Sequence, residues 1–206
     1  MGTSSQNSAS GSVPRNRLLL GFIPPSVLRV LIGIFGMALP AILVVGNNFV
    51  IMGSISSYYY TPMKWWFVGY FILLGWMLIA YKGFPGTHDD AASIIAGVAA
   101  IALGVFRTSP PDTTRDLIGW AHVFFTLVFF IMLTYMCGWL FTTTTTIRWK
   151  RFIYRLSAFL MIFAMLGIIL FEVLALKSIE PFENPTFYLE VLAFESFGLS
   201  WIIRSS

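Results

Sequence analysis

The chain has 206 residues, of which 57% are hydrophobic and 11% charged, with a net charge of +4 and a mean hydropathy of +0.80. Soluble domains carry about 25% charged residues, so a water-soluble core does not account for this composition. The apolar stretches are continuous and show no period-two alternation, which excludes a transmembrane β-barrel.

Residues 1–26 read as a polar tail and lead-in, because Met1–Pro14 is rich in Ser, Gly and Asn and poor in apolar side chains. The run Leu18–Ile23 is too short for a secretory signal and ends at Pro24-Pro25. Residues 27–204 are expected to form one all-α domain, a polytopic transmembrane helix bundle. Six apolar stretches, at 27–46, 65–83, 91–107, 118–141, 152–176 and 186–203, each reach or approach membrane-crossing length. A hydrocarbon layer of ~30 Å needs ~20 helical residues.

The first stretch contains Pro40, which predicts a kink in its outer half. The third carries Ala92, Ala96, Ala100 and Gly104 at four-residue spacing, which predicts close helix packing and a central position in the bundle. His88-Asp89-Asp90 precedes it, and Asp89 or Asp90 is expected to cap the helix. The fourth and fifth stretches, rich in Phe, Leu and Met, read as lipid-facing. The lone Cys137 is expected to be a packing residue, since one cysteine makes neither an intrachain disulfide nor a structural zinc site.

The basic residues sort by alternate loops. With the N-terminus inside, Arg15, Arg17, Arg29, Lys82, Arg148, Lys150, Arg151, Arg155 and Arg204 fall on the cytoplasmic side, and Lys64, Arg107, Arg115 and Lys177 on the other. Nine against four predicts six spans with both termini cytoplasmic. Asp112, Asp116, Glu180 and Glu183 fall in outer loops. The positive charge therefore reads as topology, and nucleic acid is not an expected partner. Trp65, Trp66, Trp120 and Tyr188 are placed at the outer boundary, and Tyr81, Trp139, Trp149 and Trp201 at the inner one. Arg148–Arg155, behind the run Thr142–Thr146, is expected to meet anionic headgroups.

Ionisable groups inside spans are costly, at ~2.5–3.5 kcal/mol on insertion scales. His122, Glu172, Glu190 and Glu195 are such groups, and Arg107 lies at the same outer level. With the segment Gly53–Thr61, which supplies Ser54, Ser56 and Tyr59, they are candidates for one extracytoplasmic pocket. Glu190 and Glu195 point ~140° apart on a regular helix, and Glu195 is expected to be the deeper. For each group a structural role weighs more: an interhelical hydrogen bond for His122, for instance to Thr126 or to a glutamate, and a pair with Arg107 or protonation within the membrane for the glutamates.

Catalytic zinc needs three protein ligands, and the two histidines lie on opposite sides. No phosphate loop, nucleophile elbow, Glu-x-x-His or His-Glu-x-x-His motif occurs. No catalytic residue, metal ligand or cofactor is assigned.

Gly53-Ser-Ile-Ser-Ser-Tyr-Tyr-Tyr-Thr61, Phe67-Val-Gly69, Tyr81-Lys-Gly83, Ala96-Gly97, Phe106-Arg107-Thr108, His122 and Phe197-Gly-Leu-Ser-Trp201 resemble a family of uncharacterised bacterial multi-pass membrane proteins. The likeness spans about residues 27–204, and Arg107 stands where that family tends to have proline. That family is itself faintly similar to the hydrolases that include alkaline ceramidases and adiponectin-type receptors. They hold zinc with a serine, an aspartate and three histidines. Ser54 or Ser56 matches the serine, but Glu190 and Glu195 stand where histidines are needed. The resemblance implies a bacterial inner-membrane protein. The expected function is binding of a lipid or small ligand from the outer side, or service as an accessory subunit beside other membrane subunits. The alternative is a metal-dependent lipid hydrolase.

Overall fold

The computed structural model describes residues 24–83, 86, 88–110, 113–175 and 183–205. The expected polar tail up to residue 23, and the outer-loop positions of Asp112, Lys177 and Glu180, lie outside the described residues. Six helices follow in order: α1 (Pro25–Gly46), α2 (Lys64–Ala80), α3 (Asp89–Val105), α4 (Leu117–Tyr135, continued by a π-turn over Met136–Phe141), α5 (Arg148–Ala175) and α6 (Pro185–Ser205). The fold is all-α. Four of the helices (α1, α4 with its π-turn, α5 and α6) are long and apolar enough to cross a membrane. Helices α2 and α3 have 17 residues each, so each spans only ~25 Å.

Local chemistry sets the helix ends. Pro25 opens α1, where a missing N–H costs nothing. At its other end Asn48 takes φ 55°. The amides of Asn48 and Phe49 turn back to the carbonyls of Val45 and Val44, at 3.2 and 2.9 Å. This is the reverse turn that stops a helix, with asparagine in the left-handed position. Asp116 caps α4 by accepting from the Gly119 amide at 2.8 Å. The capping expected of Asp89 or Asp90 is not seen. Both sit inside the first turn of α3 behind His88, where they favour the helix through its dipole.

Each helix packs chiefly on its chain neighbours, and α6 returns to α1, so the six close into a ring. The expectation that α3 occupies the centre is therefore corrected. Its small-residue stripe faces α2 and α4, while Ile94, Ile95 and Val98 remain exposed on its back. The centre is filled by aromatic side chains. Phe67, Phe71, Phe129, Phe197 and Trp201 follow one another as ring neighbours, and Phe194 packs beside Phe129, with centroids 4.9–6.4 Å apart. All six are nearly or fully buried. Such rings fill most of the interior with edge-on and tilted aromatic contacts.

Two glycine pairs bring helices into near backbone contact. A Cβ on Gly75 would lie 2.6 Å from the Gly97 carbonyl oxygen, and one on Gly33 would lie 2.7 Å from that of Gly198. The pairs join α2 to α3 and α1 to α6. Pro40 is buried within α1, which continues past it as one helix.

Six of the eight aromatic anchors expected at membrane boundaries are exposed: Trp65, Trp66, Trp120, Trp139, Trp149 and Tyr188. Tyr81 and Trp201 are not. They are buried edge-to-face against each other, 4.8 Å apart, because both point into the ring.

Candidate functional site

One end of the ring is closed by the 3-10 turn Ser56–Tyr60 between α1 and α2. Two bonds hold this cover down. The Phe187 amide at the start of α6 donates to the Gly53 carbonyl at 3.1 Å, and the Tyr58 hydroxyl donates to the Val50 carbonyl at 3.0 Å. Burial pushes the Tyr58 phenol above its ordinary pKa, against an opposing contribution from a backbone hydrogen bond with Met52.

Beneath this turn lies His122, buried at 3% exposure. Its Nδ1 is 2.7 Å from the carbonyl of Phe106, and its Nε2 is 2.9 Å from the Ser56 hydroxyl. A carbonyl only accepts, so Nδ1 carries the proton. In the neutral ring, Nε2 then accepts from the Ser56 O–H. The hydroxyl of Thr126 donates to the His122 backbone carbonyl at 2.8 Å, so the expected Thr126 contact involves the main chain and not the ring.

Glu190, on α6, enters the same site and is buried. The Ile55 amide, one residue before Ser56, donates to its carboxyl oxygen Oε2. Ile55, Ser56, Thr126 and Glu190 line a cavity of about 10 Å³ with Phe71 and Phe194. That is room for roughly one water molecule, in a mainly apolar lining to which Ser56, Thr126 and Glu190 contribute the polar side chains.

Of the expected pocket residues, Ser56, His122 and Glu190 share this site. Ser54 lies just outside, with its hydroxyl 2.8 Å from that of Ser57 and accepting from the Ser57 amide at 3.0 Å. Tyr59 packs edge-on against Phe67, and the Lys64 ammonium sits 4.5 Å from its ring centre. Arg107 turns to the surface, where it pairs with Asp116 and donates to the Tyr60 hydroxyl at 3.4 Å. Glu172 pairs at the surface with Arg115, so the expected pair between Arg107 and a glutamate is corrected. The order of depth is also corrected: Glu190 is buried and Glu195 is only partly so. The reason is azimuth, since the face of α6 that carries Glu190 packs under the Gly53–Tyr60 segment.

The opposite end holds a second buried polar cluster, which sequence reasoning missed. Asp89 and Arg204 lie 3.9 Å apart, with 0% and 8% of each residue exposed. The Arg204 guanidinium lies 4.8 Å from the Phe141 ring centre, and its backbone carbonyl accepts from Arg29 at 3.3 Å. One helical turn away, Cys137 Sγ lies 2.9 Å from Ser200 Oγ. The available signal was an aspartate in the first turn of α3 together with an arginine immediately after the apolar run of α6.

Among the described residues, no group of three His, Cys, Asp or Glu side chains is placed to hold a metal ion. Both nitrogens of His122 and one oxygen of Glu190 are already engaged within the protein. Comparison with protein families, with curated proteins and with solved structures returns no match for this chain.

Proposed function

We propose that this chain is a six-span protein of the bacterial inner membrane, with both termini in the cytoplasm. In this reading it binds a lipid headgroup or other small polar ligand from the outer side at Ser56, His122 and Glu190. The observation that carries the reading is that Ser56 and Glu190, from two separate segments, line one small cavity beneath a surface turn, with His122 from a third bonded to the Ser56 hydroxyl. The topology is supported by the gathering of Arg29, Lys82, Arg148, Lys150, Arg151, Arg155 and Arg204 at the opposite end. Membership of the multi-pass family that the Gly53–Thr61 segment resembles belongs to the same proposal.

A cavity for one water does not hold a headgroup as it stands, so binding requires the Ser56–Tyr60 turn to lift. The test is native mass spectrometry of the purified protein, with lipids and partner subunits retained. A bound small molecule lost together in Ser56→Ala, His122→Gln and Glu190→Gln supports the pocket. A stoichiometric protein partner retained by all three variants supports the accessory-subunit form. Retention of neither overturns both.

For the alternative of a metal-dependent lipid hydrolase, no group of three His, Cys, Asp or Glu side chains among the described residues offers support. The Ser56–His122 bond favours a hydrolase of another kind, which stands as the second reading. His122 Nε2 takes the Ser56 proton as the hydroxyl oxygen attacks an ester carbonyl. The proton then passes to the leaving alkoxide, and water releases the acyl group from Ser56. Covalent capture of Ser56 by a fluorophosphonate, abolished in His122→Gln, is its signature. Absence of labelling in lipid bilayers rejects it.

A further inference from the structure

Helices α4 and α5 approach closely at the π-turn, where a Cβ on Gly138 would lie 3.0 Å from the Ala158 methyl. From there toward the other end of the ring they separate, and the gap is an apolar slot of about 310 Å³. Ile131, Thr134 and Tyr135 line one wall, and Ile162, Leu166 and Ile169 the other. Ile162, Leu166 and Ile169 are 46%, 62% and 51% exposed, so the slot opens outward toward the lipid.

The slot lies in line with a cation. Ile162, Leu166 and Ile169 follow Arg155 by seven, eleven and fourteen residues. At 100° per residue all three fall within about 40° of the Arg155 direction. Arg155 is exposed, as is Arg148 two turns before it. No Asp or Glu occurs between Asp116 and Glu172, so this face of α4 and α5 carries positive charge only. At ~1.5 Å per residue the slot runs from ~10 to ~21 Å below the Arg155 level. That range straddles the middle of a ~30 Å hydrocarbon layer, the depth reached by the far half of an acyl chain whose headgroup sits at the Arg155 level. Trp149, exposed and six residues before Arg155, lies on the side of Arg155 away from the slot.

We propose that the α4–α5 slot is a binding site for an anionic diacyl phospholipid, with one chain between Ile131 and Ile169 and the phosphate on Arg155. Charge selects the occupant. A zwitterionic lipid offers a phosphate but carries its own ammonium beside it, so it leaves the net positive charge of Arg155 and Arg148 uncompensated. A partner helix would need acidic residues at that level. The slot lies at mid-bundle on the outer face of α4 and α5, shares no residue with the Ser56–His122 site and does not depend on it.

The test is native mass spectrometry of the full chain released from nanodiscs containing equal parts of phosphatidylglycerol and phosphatidylcholine. The wild type is expected to retain one phosphatidylglycerol in preference to phosphatidylcholine. Arg155→Gln should lower that preference about fivefold, the equivalent of ~1 kcal/mol for one basic residue at an anionic surface. Leu166→Trp, which fills the slot, should abolish retention of both lipids. If that variant does not fold, Ile169→Phe takes its place. Arg115→Gln, at the far end, should retain lipid as the wild type does. Equal retention of the two lipids by the wild type overturns the proposal, as does an unchanged preference in Arg155→Gln. A lipid-free homodimer would assign the slot to a second copy and overturn it too.

Discussion

Gly75 and Gly97 face each other across α2 and α3 so closely that a methyl group on either would lie 2.6 Å from the other's carbonyl oxygen. The contact explains how two 17-residue helices form one unit, with the Ser93 hydroxyl donating across it to the Leu78 carbonyl. In lipid, where apolar burial gives no net advantage, such close approach is what holds helices together.

Gly75→Leu or Gly97→Leu is therefore expected to destabilise the bundle by ~1–3 kcal/mol, the usual cost of overpacking. Gly69, on the same helix, has nothing within 4 Å of its would-be Cβ. Gly69→Ala should be neutral or stabilise by up to ~1 kcal/mol through helix propensity. Thermal melts of the three variants in one detergent check the contrast.

The Ser56–His122 bond predicts non-additivity. Ser56→Ala and His122→Ala each remove the same interaction, so the double variant should cost less than the sum of the two by ~1 kcal/mol. A double-mutant cycle measured by denaturant unfolding checks this. Strict additivity would mean that the pair does not interact in the membrane.

Glu190 is expected to outweigh Glu195. Glu190→Leu leaves the buried Ile55 amide without its acceptor, at ~1–3 kcal/mol, whereas Glu190→Gln retains a side-chain oxygen for it. Glu195→Leu, at a partly exposed position, should cost little. Hydrogen exchange at the Ile55 amide reads the difference directly, being faster in Glu190→Leu only.

At the other end, removing one partner of the buried Asp89–Arg204 pair should be severe. Asp89→Leu or Arg204→Leu is expected to cost ~3–5 kcal/mol, because each strands a charge in the bundle. The double variant Asp89→Leu/Arg204→Leu should recover part of that loss. Yield and melting temperature of the three proteins compared with the wild type test it.

Acid should weaken the start of α4. The Gly119 amide, and then Arg107, hold the Asp116 carboxyl below the usual carboxylate range. A depressed folded-state pKa gives stabilisation that is present above the ordinary value of ~4 and lost as pH falls through the folded value. Asp116→Asn keeps a capping oxygen but does not titrate. Its melting temperature should converge on that of the wild type as pH drops from ~6 to ~3. A constant difference across that range would refute the assignment.

Much of the architecture was legible in advance. The six apolar stretches correspond to the six helices within a few residues, because runs of Leu, Ile and Phe leave the backbone no stable choice in lipid except its own helical hydrogen bonds. The small residues of α3 signalled close packing correctly but not against what. A four-residue spacing fixes a helix face, yet leaves open which neighbour meets it. His122 stood out as the one histidine within a span. Its partners did not, since a serine 66 residues away in a surface turn carries no mark of proximity.

Composition and periodicity by themselves determined that this chain is an assembly of apolar helices and which few polar groups sit among them, since hydrophobicity and helix length are properties of local sequence. The tertiary structure alone decided that Glu190 and not Glu195 lies under the Ser56 turn. It likewise decided that Tyr81 and Trp201 face inward, and that Asp89 reaches Arg204 across the ring. These outcomes depend on the rotation of each helix about its own axis. That rotation is set jointly by all its neighbours when the ring closes.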